Sequence, residues 1–174
     1  MTRRSAAWAA AAFVLSGCGL AGGDDGAAAD AETALEAQRT EVREAAGEVA
    51  RALVDRLEGD VLDSHGDWEG CESAFMDEFR NFRYLATVRI SGGADEPARA
   101  LADLVGEAGF EPGEVGPDGV SASTADLVLR LRPVPAGGSS GDWLLQVTGA
   151  ECVDVPEGER EAWLRREEPS PSVL

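Results

Sequence analysis

Lysine is missing from this chain, and all 15 basic residues are arginine. Histidine, isoleucine, asparagine and tyrosine occur once each, at His65, Ile90, Asn81 and Tyr84. Lysine, isoleucine, asparagine and tyrosine use AT-rich codons, so their scarcity reads as the bias of a high-GC genome such as an actinobacterial one. One histidine leaves no multi-histidine metal site, and a serine triad would have only His65 as its base. No Gly-x-Ser-x-Gly elbow, a strand-to-helix turn, is read from the chain. Gly109, Gly113, Gly116 and Gly119 lack the lysine and the strand-loop-helix setting of a phosphate loop. Positive charge is scarce overall, with 33 acidic residues against those 15 arginines. Such a chain repels nucleic acid and anionic headgroups. No apolar run reaches the roughly 20 residues that span a bilayer.

The N-terminus carries what positive charge and apolar length there is. Met1-Thr2-Arg3-Arg4 is followed by an apolar stretch from Ala6 to Leu15. That charge and length are those of an export signal. Arg3-Arg4 lacks the followers of a twin-arginine signal, so general secretion is expected. The stretch ends in Leu15-Ser16-Gly17-Cys18, which resembles the bacterial lipobox. The resemblance implies cleavage before Cys18, a diacylglyceryl group on its thiol, and a membrane anchor on the extracytoplasmic side. Loss of residues 1–17 removes Arg3 and Arg4, so 13 arginines stand against 33 acids and the exported chain has a formal charge of −20.

Cysteine is equally sparse, with three in all. Lipid on Cys18 leaves Cys71 and Cys152, an even number that exported proteins bridge. No Cys-x-x-Cys and no neighbouring histidine marks a reactive thiol. The bridge would close a loop of about 80 residues, worth roughly 4 kcal/mol in the chain-entropy picture.

The remaining chain suits one domain. Residues 1–17 read as signal peptide and 18–30 as a flexible acidic tether. Residues 31–155 read as a single α+β domain, and 156–174 as a polar tail, partly helical and then loose. From Ala31 to about Glu58, Leu35, Val42 and Val49 repeat at seven with Ala46, Leu53 and Leu57 alongside, and Gly59 is the expected stop. Glu36/Arg39 and Glu48/Arg51 are spaced to pair. Asp60 to Asn81 reads as irregular. Tyr84, Ala86, Val88 and Ile90 alternate as one face of a strand. Asp95 to Pro97 opens a second helix with Leu101, Leu104, Val105 and Ala108 on its stripe and Gly109 as cap. Phe110 to Gly119 gives no clear strand signal, and Val120 to Ser123 reads as a short strand. Asp126–Arg132 and Trp143–Thr148 read as a hairpin around Pro135–Gly141. The order α-β-α-β-β-β predicts a two-layer α+β fold, an antiparallel sheet of three to four strands with two helices on one face.

These strand phases place Arg89, Arg130 and Arg132 on the outer face with Leu85, Val128, Leu144, Gln146 and Thr148. In so acidic a chain this is a local basic and apolar patch. It reads either as a docking surface or as an open face whose arginines pair with nearby acids. Asp63-Ser64-His65-Gly66-Asp67-Trp68-Glu69 mixes acids with the one histidine, but it has neither the glycine nor the bidentate glutamate of an EF-hand. It reads as a polar loop, and neither a metal nor any other cofactor is expected. Trp68 and Trp143 read as core packing rather than a ligand wall.

The layout as a whole has a relative. It combines a lipobox, a charged first helix and Trp68-x-x-Cys71, then a strand, a helix ending at Gly109, and a close at Val147-Thr148-Gly149-Ala150-Glu151-Cys152. Over residues 40–153 this resembles the LppA-type lipoproteins of mycobacteria and similar small actinobacterial lipoproteins. The resemblance implies location, the Cys71–Cys152 bridge and the fold, and it carries over no catalytic residue. The expected function is a non-catalytic interaction module of the cell envelope, anchored by lipid on Cys18 and meeting a protein partner. A carrier for a small apolar or lipidic ligand, held beneath Leu53, Leu101, Leu129 and Trp143, is the alternative.

Overall fold

The computed structural model describes residues 23–71, 81–92, 98–134, 141–168 and 172. The signal peptide, Cys18, the expected start of the second helix at Asp95–Pro97, most of the Pro135–Gly141 loop and the last residues of the tail lie outside these. The elements are α1 (Gly23–Leu57), β1 (Val61–Cys71), β2 (Asn81–Ile90), α2 (Ala98–Glu107), β3 (Glu111–Gly116), β4 (Gly119–Ser123), β5 (Leu127–Pro133), β6 (Trp143–Gly149) and β7 (Val153–Asp154). A 3-10 turn (Glu157–Glu159) leads into α3 (Arg160–Leu164). The fold is α+β, with three helices and an antiparallel sheet of seven strands in the order β1-β2-β6-β5-β4-β3, β7 pairing β2 beyond the end of β6.

The sheet is therefore larger than the three to four strands expected. The extra strands sit where the sequence is quiet. On β1 the inward positions are Ser64, Gly66, Trp68 and Gly70, so Trp68 alone supplies apolar bulk. The segment read as irregular is a full edge strand, registered on β2 from Val61↔Ile90 to Cys71↔Asn81. At the opposite edge, β3 buries none of its side chains and so carries no alternating signal. Its one strand partner is β4, and Pro112 approaches Gly106 of α2.

α1 begins at Gly23, so residues 23–30, read as flexible tether, are helical. At 1.5 Å per residue the helix is about 52 Å long. Its expected stripe is the one buried: Leu35, Val42, Ala46, Val49, Leu53 and Leu57 face the sheet, joined by Ala31 and Ala50. Glu36 pairs with Arg39 at 3.5 Å, whereas Arg51 donates to the Gly47 carbonyl. The left-handed residue that ends the helix is Glu58 (φ 49°) rather than Gly59. Gly59 is required for another reason, since a Cβ there would lie 1.8 Å from the Ser91 carbonyl oxygen. Gly109 (φ 92°) does cap α2 as expected, with Phe110 N–H returning to the Val105 carbonyl at 3.2 Å.

All helices bury against the inner face, where Phe82, Tyr84, Ala86, Val88, Ile90, Leu129, Leu131, Leu145 and Val147 form the core with α1 and α2. The tail is not loose throughout. Trp163 of α3 is buried, edge-on to Trp68 at 4.9 Å between centroids, with Phe82 nearby. Beyond it the Glu168 carboxylate, 3% exposed, takes Arg39 and Arg43 of α1. The segment from 156 to 168 thus belongs to the packed domain.

Candidate functional site

The outer face of the sheet has no helix over it among the described residues. Its side chains fall into register rows. One row runs Asp63, Arg89, Leu144, Arg132 across β1, β2, β6 and β5. The next runs His65, Thr87, Gln146, Arg130 and on to Ser121 of β4. The third runs Asp67, Leu85, Thr148, Val128, Ser123. Strand alternation fixes all of these on one face, because the intervening residues turn toward the core; of the outward ones Thr87 is itself buried.

The three arginines of the expected patch do not behave alike. Arg89 donates through Nε and Nη2 to Oδ2 of Asp142 at 2.9 and 2.5 Å, and that carboxylate is 4% exposed. The charge of Arg89 is thereby taken up inside the chain. Arg130 and Arg132 are exposed, and neither makes an ion pair among the described residues. They border an open cleft of about 440 Å³ at the β3–β4 hairpin, whose other walls include Glu114, Asp118, Gly119 and Ser121.

The acidic run around His65 proves to be strand β1 rather than a loop. Asp63, His65, Asp67 and Glu69 all point outward, two residues apart, so neighbouring side chains rise about 6.6 Å from each other. That spacing lays them out in a line instead of closing them around an ion. His65 Nδ1 lies 3.4 Å from Asp63, and Glu69 is tied to Arg83. Among the described residues no group of three or more histidine, cysteine or acidic side chains converges on a metal position. The column formed by Asp63 and Asp67 was missed in the sequence because the segment was not recognised as a strand. The signal for it was present in the every-second-residue spacing of Asp63, His65, Asp67 and Glu69.

Gly137-Gly138-Ser139-Ser140-Gly141 does fit Gly-x-Ser-x-Gly in letters. It links β5 to β6, two antiparallel neighbours, whereas a nucleophile elbow turns from a strand into a helix.

A second polar cluster is structural. Tyr84, fully buried on β2, passes under β1 at Gly66, and its hydroxyl accepts from Arg43 Nη1 at 3.2 Å. Burial raises the Tyr84 pKa above its ordinary value. The hydrogen-bonded Glu168 carboxylate holds the Arg39 guanidinium further into its charged form. Arg166 stacks over Trp163 with its guanidinium carbon 4.1 Å from the ring centroid. The indole Nε1 of Trp68 is buried without a hydrogen-bond partner among the described residues. Trp143, like Trp68, is buried in the core cluster.

Cys71 and Cys152 are joined in a disulfide, with their Cα atoms 6.4 Å apart. It ties the end of β1 to the stretch between β6 and β7. No protein-family model, curated protein or solved structure matches the chain.

Proposed function

We propose that this chain is an extracytoplasmic lipoprotein, anchored by lipid on Cys18, whose α+β domain is a non-catalytic interaction module of the cell envelope. The observation that carries the reading is the Cys71–Cys152 bond. With those two thiols joined, Cys18, at the end of an apolar export-type segment, is the cysteine left over for lipid. A bridge spanning nearly half of the chain also belongs to an oxidising compartment. The likeness to LppA-type lipoproteins points the same way. The anchor has a short reach in this reading. α1 begins five residues after Cys18, a length of chain that can span at most about 17 Å. The domain is carried on a helical stalk near the bilayer rather than on a long coil.

The open face supplies the contact surface, with exposed arginines and half-buried Val128 on β5, and half-buried Leu85 and Leu144 on the strands between the charged columns. The carrier reading draws less support. Leu53, Leu101 and Leu129 are fully buried, and with Trp143 they are packed into one hydrophobic cluster. The test is metabolic labelling with an alkyne fatty acid in the native host, followed by fractionation and in-cell crosslinking. Label and membrane association are expected in the wild type and lost in Cys18→Ser. A Cys18→Ser chain that keeps both overturns the anchor.

A further inference from the structure

The outer face separates its charges. Asp63 and Asp67 stand exposed on edge strand β1, and Arg130 and Arg132 stand exposed on β5. Three strand spacings part the two columns, about 14 Å. Between them lie β2 and β6, where the outward residues are Leu85, Thr87, Leu144, Gln146 and Thr148, together with two arginines already satisfied by Asp142 and Glu69. Interfaces are typically depleted of free charge at their centre and polar at the rim.

This layout is its own complement. Turn a second copy over onto the face about a two-fold axis that runs along the strands between β2 and β6. β1 of each copy then lies over β5 of the other, and β2 lies over β6. The registers keep the rows together, so Asp63 meets Arg132 of the other copy. Arg130 of the other copy comes over His65, within reach of Asp63 and Asp67 on either side. In the middle Leu85 lies over Thr148 of the other copy, and Leu144 lies over Arg89, whose charge Asp142 already holds. Two antiparallel sheets facing each other in this way pack aligned, about 10 Å apart. A two-fold contact is isologous, so every such pair occurs twice.

We propose that the open face pairs with the same face of a second copy about this axis, making the chain a homodimer through sheet-on-sheet contact. The inference rests on the reading of the domain as an interaction module and names its partner. The four overlapping strands, 4.8 Å apart and about seven residues long, offer roughly 440 Å² per copy, little more than half of the roughly 800 Å² of a standard stable interface. The dimer is accordingly weak in free solution. Confinement of both anchors to one membrane raises the effective concentration that drives it.

The experiment is sedimentation equilibrium on residues 18–174 carrying Cys18→Ser, which keep every described element. The wild type is expected to self-associate reversibly between about 10 μM and 1 mM. Arg130→Glu/Arg132→Glu and, separately, Asp63→Arg/Asp67→Arg are each expected to weaken the dimer about tenfold or more, since reversal at two positions turns four contacts repulsive. An equimolar mixture of the two variants restores association as a heterodimer, because one copy is then acidic and the other basic on both columns. Circular dichroism of each variant establishes that it folds, and restoration on mixing is a result that misfolded chains do not give. A wild type monomeric at 1 mM, reversals without effect, or a mixture that stays monomeric overturns the inference. The measurement uses no lipid, so failure of Cys18 labelling leaves it standing. Capture of a different envelope protein at Arg130 and Arg132 without self-association overturns the dimer and leaves the module reading intact.

Discussion

Position 66 has room for nothing larger than hydrogen. A Cβ there would sit 1.8 Å from the Tyr84 hydroxyl and 2.5 Å from its ring carbon Cζ. The edge strand therefore crosses directly above the only tyrosine of the chain. Gly66→Ala forces one of them aside and is expected to lower the unfolding free energy by about 1–3 kcal/mol, as overpacking does. Urea denaturation measures this, and Tyr84→Phe in the same background recovers part of the loss by removing the nearest atom. An alanine variant as stable as wild type would show that β1 does not lie over the ring. The same tyrosine gives a pH prediction. Its folded pKa is raised, chiefly by burial, above the unfolded value near 10. A group shifted in that direction contributes stability below its unfolded pKa and loses it as pH rises through the folded one. The phenolate absorbance, which reports this residue alone, is expected to appear only above the range of a free tyrosine. Stability falls over the same interval, and Tyr84→Phe flattens that fall. A midpoint at the free value would place the ring in water.

At the scale of elements, the weak point of the sheet is where β6 leaves β2. Their pairing ends at Leu85↔Thr148, and β7 resumes it only at Phe82↔Val153. Gln38 of α1 fills the interruption. Its Oε1 accepts the Tyr84 N–H at 2.8 Å and its Nε2 donates to the Glu151 carbonyl at 2.9 Å. Thr148 Oγ1 donates to the Tyr84 carbonyl at 3.0 Å. Gly149 leaves the space for the Gln38 amide, since a Cβ there would lie 2.2 Å from it. Gln38→Ala strands two backbone groups and is expected to cost about 1–3 kcal/mol, with faster amide exchange at Tyr84 than elsewhere on β2. Uniform protection along β2 in that variant would refute the role. None of this was legible in the sequence, where Gln38 is one more polar residue on a charged helix. What was legible is what burial writes as a period. The stripe of α1, the Gly109 cap and the alternation of β2, β5 and β6 each put apolar side chains on one side at regular spacing. β1 and β3 escaped notice because edge strands bury little, and because Ser64, Gly66 and Gly70 turn inward where the tyrosine and the tail supply the bulk. Strand phase alone placed Arg89, Arg130 and Arg132 together on the outer face, as the registers have them. Which of its arginines is engaged was not legible, since Arg89 and Asp142 lie 53 residues apart in sequence.

The molecule as a whole is held by one covalent link and by a tail that folds back. The disulfide closes a loop with a sequence separation of 81, which contains β2 to β6 and α2. A loop of that length restricts the unfolded chain strongly, by about 4 kcal/mol at room temperature in the chain-entropy picture. Its two ends are also held in the folded state without the bond. Cys71 is paired to Asn81, and β7 just beyond Cys152 is paired to Asn81 and Phe82. Loss of the bond therefore acts mainly on the unfolded ensemble, and the folded topology survives it. Cys71→Ala/Cys152→Ala is expected to keep the near-ultraviolet dichroism of Trp68, Trp143 and Trp163 while its urea midpoint drops by an amount equivalent to about 4 kcal/mol. Glu168→Gln gives the contrasting case, because it acts on the folded state. It leaves Arg39 and Arg43, each about four-fifths buried, without their shared carboxylate. Breaking a buried pair from one side costs about 3 kcal/mol. That loss is expected to speed unfolding and loosen Trp163, visible as a change in tryptophan emission before global unfolding. If reduction of the disulfide produced the same early change, the bond would be supporting the tail rather than limiting the unfolded chain, and its role would have to be assigned to the folded state.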